Sequence, residues 1–119
     1  MQIKFWGVRG SIPSGSKDTA GVGGNTTCAE IRCGDELIII DTGTGVRNLG
    51  MALMKEMPVK GTILFSHVHW DHIQGFPFFG PFFVPGNEFR IFGGTSLPKT
   101  IGEVLDQQMT PPCFPVKTE

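Results

Sequence analysis

All three histidines of this chain lie within six residues, in the run His67-Val68-His69-Trp70-Asp71-His72, directly after the apolar segment Gly61-Thr62-Ile63-Leu64-Phe65-Ser66. No other feature constrains the fold as much, because a buried strand must here deliver a set of polar donors to one place. If the backbone stays extended past Ser66, His67 and His69 leave the strand on the same side. Asp71, capping a short helix, would return itself and His72 to the same space. Imidazole nitrogen and carboxylate oxygen are the donors that hold a hydrolytic divalent cation at neutral pH. The competing reading is three histidines gathered by chance in a core or on a loop. A polar, ligand-only cluster directly after an apolar strand has no packing purpose, so His67, His69, Asp71 and His72 are the candidate metal ligands.

The surrounding pattern predicts an α+β domain with a mixed β-sheet and flanking helices. Residues 2–8 alternate apolar Ile3 and Phe5 with polar neighbours, and a Gly- and Ser-rich loop follows over residues 9–25. Residues 26–33 alternate again, with Ala29, Ile31 and Cys33 on one face and Glu30 and Arg32 on the other. Gly34-Asp35 is a turn signal, and residues 36–41 return as an apolar strand, so the pair reads as a hairpin. Val46, Leu49, Leu53 and Met57 keep helical spacing up to a stop at Pro58, before the strand at residues 61–65. Strand, helix, strand in that order predicts a parallel crossover. A further strand is predicted over residues 88–92 and a helix after Pro98, carrying Ile101, Val104, Leu105 and Met109. The proline-rich tail from Thr110 to Glu119 has no regular pattern.

At 119 residues and 39% apolar, the chain fits a single domain spanning residues 1–119. The net charge is -1 and the ten basic residues form no run, which excludes a basic nucleic-acid patch. Cys28, Cys33 and Cys113 lack metal-ligand spacing and read as buried thiols in a reducing compartment. The N-terminus has no apolar signal core and no stretch is long enough to span a bilayer, so a cytoplasmic protein is expected.

Two further motifs carry alternatives. The run Phe76-Pro77-Phe78-Phe79-Gly80-Pro81-Phe82-Phe83-Val84-Pro85 can be neither a regular helix nor a central strand. It reads first as a core plug under the histidine loop, and second as a wall for an apolar substrate group or a subunit contact. In Ile40-Asp41-Thr42-Gly43-Thr44-Gly45, an acid ends a buried strand before a flexible turn. Asp41 can cap the next helix, or stand behind the ligands and orient a histidine through its free ring nitrogen. The same string also resembles the catalytic loop of retroviral-type aspartic proteases, which pair two such acids in a homodimer. Ile91-Phe92-Gly93-Gly94 lacks the Arg that this family carries near its C-terminus, and the histidine cluster would go unexplained.

Taken together, the residues resemble the metallo-β-lactamase superfamily, whose hallmark is the HxHxDH loop after a buried strand. Supporting matches are the opening Ile3-Lys4-Phe5-Trp6-Gly7-Val8-Arg9-Gly10-Ser11, the segment Gly23-Gly24-Asn25-Thr26-Thr27-Cys28 and the strand-end acid Asp41. Asn25-Thr26-Thr27-Cys28 and Gly75-Phe76-Pro77 look most like the phosphodiesterase and tRNA 3′-processing endonuclease branch. The resemblance implies two divalent ions, zinc or alternatively manganese. His67 and His69 would bind one ion and Asp71 and His72 the other. A metal-bound hydroxide would hydrolyse a small-molecule or nucleotide phosphodiester, with Asp71 as the catalytic residue that orients the nucleophile or takes its proton.

That family completes its site with later ligands, and this sequence has no histidine after His72. The resemblance therefore covers only the N-terminal half of a four-layer αββα sandwich. A non-catalytic half-domain that needs a partner is the alternative. Leaving even ~400 Å² of an apolar sheet face in water forfeits roughly 10 kcal/mol at ~25 cal/mol per Å². Self-association, a complementing C-terminal half or partial disorder is therefore expected, with a weak metal site and little activity in the isolated chain.

Overall fold

The computed structural model describes residues 1–94 and 98–115. Five strands form one mixed sheet in sequence order: β1 (Gln2–Gly7), β2 (Cys28–Cys33), β3 (Glu36–Ile40), β4 (Lys60–Phe65) and β5 (Glu88–Gly93). β1, β2 and β3 pair antiparallel, and β4 runs parallel to both β3 and β5. The expected hairpin turns at Gly34, whose φ of 59° is the left-handed conformation that glycine adopts without strain. Helix α1 (Val46–Leu53) makes the expected crossover. It stops four residues before Met57, which packs partly buried against the core from beyond the helix end. Helix α3 (Ile101–Gln108) opens on a reciprocal cap, with Thr100 Oγ1 accepting from the Glu103 amide and Glu103 accepting from the Thr100 amide. The predicted irregular tail bears no helix or strand up to Pro115, and its last four residues lie outside the described residues.

One face of the sheet is covered. Leu37, Ile39, Ile63 and Phe65 form a single buried cluster with Val46, Leu49 and Leu53 of α1, with Phe76 and Phe79, and with Leu105 and Met109. The Phe-Pro segment forms the predicted core plug. It folds as two 3-10 turns, Phe76–Phe78 and Gly80–Phe83, in which Phe76 and Phe79 plug the core while Phe78 and Phe83 face outward.

The opposite face is open. Residues paired across adjacent strands point to the same side. The register therefore aligns Ile3, Ile31 and Ile38 in one row, and Phe5, Ala29, Ile40, Leu64 and Phe92 in the next. Phe5 is 68% exposed, and Ile3 and Phe92 are each 53% exposed. The apolar set of β2 thus faces outward, and its acid faces in. Glu30 is only 8% exposed and survives there because Trp6 Nε1 and Arg32 Nε donate to its two carboxylate oxygens at 2.9 and 2.7 Å. Such pairing is what a buried charge requires.

The cysteine expectation holds for one residue only. Cys28 is buried, whereas Cys33 at the end of β2 and Cys113 in the tail are exposed thiols. Both lie where the chain leaves the packed layer, which residue type alone does not reveal. No helix among the described residues is long and apolar enough to cross a membrane.

Candidate metal centre

β4 ends at Phe65, and the next seven residues carry the histidine run. The rings of His67 and His69 lie 4.6 Å apart and those of His67 and His72 4.0 Å apart, centroid to centroid. Helix α2 (Trp70–Ile73) follows at once, with His69 in the N-cap position. Asp71 therefore does not cap this helix. It sits in the first turn, and its Oδ2 lies 3.5 Å from His72 Nε2.

Asp41 leaves β3 with a φ of 60° and is almost fully buried. It does not cap α1 either, since Gly45 occupies that position. Instead its carboxylate receives the Ser66 amide at 2.8 Å and the Ser66 hydroxyl at 2.6 Å, and lies 2.8 Å from His72 Nδ1. A carboxylate only accepts, so the His72 ring carries its proton on Nδ1 and leaves Nε2 as a lone-pair donor. Ser66 spends its one proton on Asp41, so its oxygen accepts from His67 Nδ1 at 3.1 Å. The same tautomer results at His67. Two of the three imidazoles therefore present Nε2 as the free electron pair, the state that metal ligands adopt when their other nitrogen is held.

Backbone contacts lock the strand-end turn to α2. The Thr42 amide donates to His72 C=O at 2.9 Å and the Gly75 amide to Thr42 C=O at 2.8 Å. This contact is so close that a Cβ on Gly43 would stand 2.4 Å from Asp71 O, and one on Gly75 2.2 Å from Gly43 O. Thr26 and Thr44 fasten the same turn from the other side, the Thr44 amide donating to Thr26 Oγ1 at 2.8 Å. Asp71 is held from a third direction by the Ser11 amide, which donates to Oδ2 at 3.0 Å. That bond is the main reason its carboxyl lies below the ordinary range, opposed by partial burial and helped by the neighbouring His72 and His67 rings.

Among the described residues, no three His, Cys, Asp or Glu side chains stand in a geometry that closes on one ion. The rings pack against one another rather than aiming at a common point. The donor chemistry nevertheless fits a divalent cation: three imidazoles, two with Nε2 freed, and a carboxylate on adjacent backbone. A cleft of about 130 Å³ opens beside Ser66, His67 and His69, walled by Phe65, Gly94 and Ile101. On the other side of Val68 lies a groove of about 660 Å³ whose walls include Trp70, Phe78, Phe114 and Gln107.

Sequence reasoning singled out Asp41 and the four candidate ligands but gave Ser11, Ser66, Gly43 and Gly75, which it met only within longer motifs, no role of their own. The histidine run itself pointed to none of these, since each acts through a contact with a residue outside its own motif or through its main chain. Comparison with known protein families, with curated proteins and with solved structures finds no match for this chain.

Proposed function

We propose that the chain is the ligand-bearing N-terminal half of a metal-dependent hydrolase of the metallo-β-lactamase type, acting on phosphodiesters. The observation that carries this reading is the hydrogen-bond chain Asp41–Ser66–His67 with Asp41–His72, which leaves two imidazole Nε2 atoms free, that of His72 lying 3.5 Å from Asp71 Oδ2. His67 and His69 would hold one divalent ion and Asp71 and His72 a second. Zinc or manganese suits nitrogen and oxygen donors without thiolate. When bound, such ions supply Lewis acidity and make a water acidic enough to attack at neutral pH.

The protein's own residues do the rest. Asp41 and Ser66 set the tautomers of His67 and His72, and Asp71 would orient the attacking water or take its proton. Trp70 and Phe78, both exposed along the neighbouring groove, suit an aryl or nucleotide leaving group. The open apolar face supports the half-sandwich reading, because a second sheet laid on Phe5, Ile38, Ile40 and Phe92 would complete the core and bring the later ligands. That layer comes from a complementing C-terminal half, and a cytoplasmic setting suits the thiols. The retroviral-type protease reading is disfavoured by Asp41 itself, whose two oxygens are engaged by Ser66 and His72 inside the protein.

Elemental analysis of the purified chain tests the reading. Wild type carries zinc or manganese, and a His67→Ala, His69→Ala double variant loses at least half of it. Equal metal in both proteins refutes the proposal. With the complementing half present, Asp71→Asn abolishes turnover of a bis-aryl phosphodiester, and chelators do the same.

A further inference from the structure

Two non-glycine residues have positive φ among the described residues, Asp41 at 60° and Ser11 at 71°. Strained backbone of this kind persists where the surroundings over-determine it, and it concentrates at functional sites. Asp41 meets His72, as described above. Ser11 lies in the opening loop, far from the strand-end motifs in sequence, yet its amide reaches Asp71 across 60 residues of sequence.

The local geometry explains the strain. The Ile12 amide donates to Gly10 C=O at 2.9 Å, closing a three-residue turn with Ser11 at its centre. A γ-turn with a central φ near +75° is the rare, strained form. The loop holds that turn from both sides. Arg9 Nε donates to Ile12 C=O at 2.7 Å, the Arg9 amide to Asn25 C=O at 3.0 Å, and the Ser14 amide to Gly24 C=O at 2.9 Å. Serine side-chain chemistry plays no part in the contact to Asp71. The contact needs only a backbone N–H aimed outward from the turn, which a relaxed φ would aim elsewhere.

We propose that Ser11 is a positioning residue: the strained turn at residues 10–12 aims its amide at Asp71 Oδ2 and holds that carboxylate beside His72 Nε2, so that the two groups meet one divalent cation as a preset pair. The inference rests on the metal reading of the site and adds a residue to it. Its effect belongs to the Asp71 and His72 ion and leaves His67 and His69 untouched.

Cobalt(II) titration of the full chain, read by visible absorption and calorimetry, provides the test, with circular dichroism reporting the fold. Ser11→Pro removes the N–H and forbids the positive φ, and should weaken cobalt binding about tenfold, the low end for a group that orients a ligand. Ser11→Gly keeps the donor and takes this φ freely, and should bind within threefold of wild type. In an Asp71→Ala background, Ser11→Pro should have no further effect, because the interaction it breaks is already gone. A purely structural loop would weaken binding equally in both backgrounds. Should Ser11→Pro fail to fold, Ser11→Val disfavours the same φ while keeping the donor, and should weaken binding at least threefold.

Wild-type affinity in a folded Ser11→Pro or Ser11→Val protein, or an undiminished Ser11→Pro effect in the Asp71→Ala background, overturns the inference alone. Wild type that takes up no cobalt overturns the metal reading and this inference with it.

Discussion

Replacing Asp41 by asparagine separates the charge of this residue from its shape. Asparagine tolerates the left-handed backbone as aspartate does, so the φ of 60° is not disturbed. The Ser66 amide keeps its acceptor if the new carbonyl takes the Oδ1 position, 2.8 Å away. The amide NH₂ then replaces Oδ2, which now lies 2.6 Å from Ser66 Oγ and 2.8 Å from His72 Nδ1. Ser66 can turn its hydroxyl and accept, but His72 cannot keep a proton on Nδ1 facing another donor. The ring moves its proton to Nε2, and the electron pair offered to a metal is lost. Hydrogen bonds to a charged partner contribute about 1.5–3 kcal/mol each. Since one contact survives and two are reversed, a stability loss of about 1–2 kcal/mol is expected from urea melts. Metal affinity should fall 10- to 100-fold, the range for loss of a group that orients a ligand, or about 1.4–2.8 kcal/mol. Zinc competition titration measures the affinity, and long-range nitrogen–proton NMR of the His72 ring reads the tautomer. Affinity within twofold of wild type, with the proton still on Nδ1, would refute the argument.

Three other outcomes follow from packing and ionisation. Gly75→Ala, whose Cβ would meet Gly43 O at 2.2 Å, should push α2 away from the strand-end turn and weaken metal binding at least tenfold, as the same titration reads; unchanged binding would mean that this close approach does not position the ligands. Phe79→Ala removes a fully buried ring packed edge-on against Phe82 and Phe89 at 4.8 and 5.2 Å, and should cost about 3–5 kcal/mol in urea denaturation. Burial first, and then the charges of Asp41 and Glu30, push the Cys28 thiol up to about 12. Because the folded value is raised, its contribution is intact below an unfolded thiol's pKa of ~8.5 and is lost as pH rises from there towards 12. Cys28→Ala should flatten that alkaline decline in stability, and iodoacetamide at pH 8.5 should label Cys33 and Cys113 while sparing Cys28.

Much of this protein was legible in its residues because the signals are local. The Gly34-Asp35 turn, the unbroken apolar run of β3 and the helical spacing of Val46, Leu49 and Leu53 each act within a few residues, and they sufficed for the hairpin and the crossover. The histidine run was readable for the same reason, since six consecutive residues can be brought to one strand end by their own backbone. Alternation along β2 revealed two faces but not which one the helices would cover, because a period of two reads the same from either side. Only packing decided that Glu30 turns inward to meet Trp6 and that Ile31 turns out. In the same way, residue type marked the three cysteines as alike, and the fold buried one. The contacts that shape the candidate site lie furthest from local reach. Asp41 meets His72 across 31 residues and Ser11 meets Asp71 across 60. No propensity or spacing encodes such meetings. They exist because the sheet lays β3 beside β4 and the opening loop folds back over the strand ends, which is a property of the assembled chain.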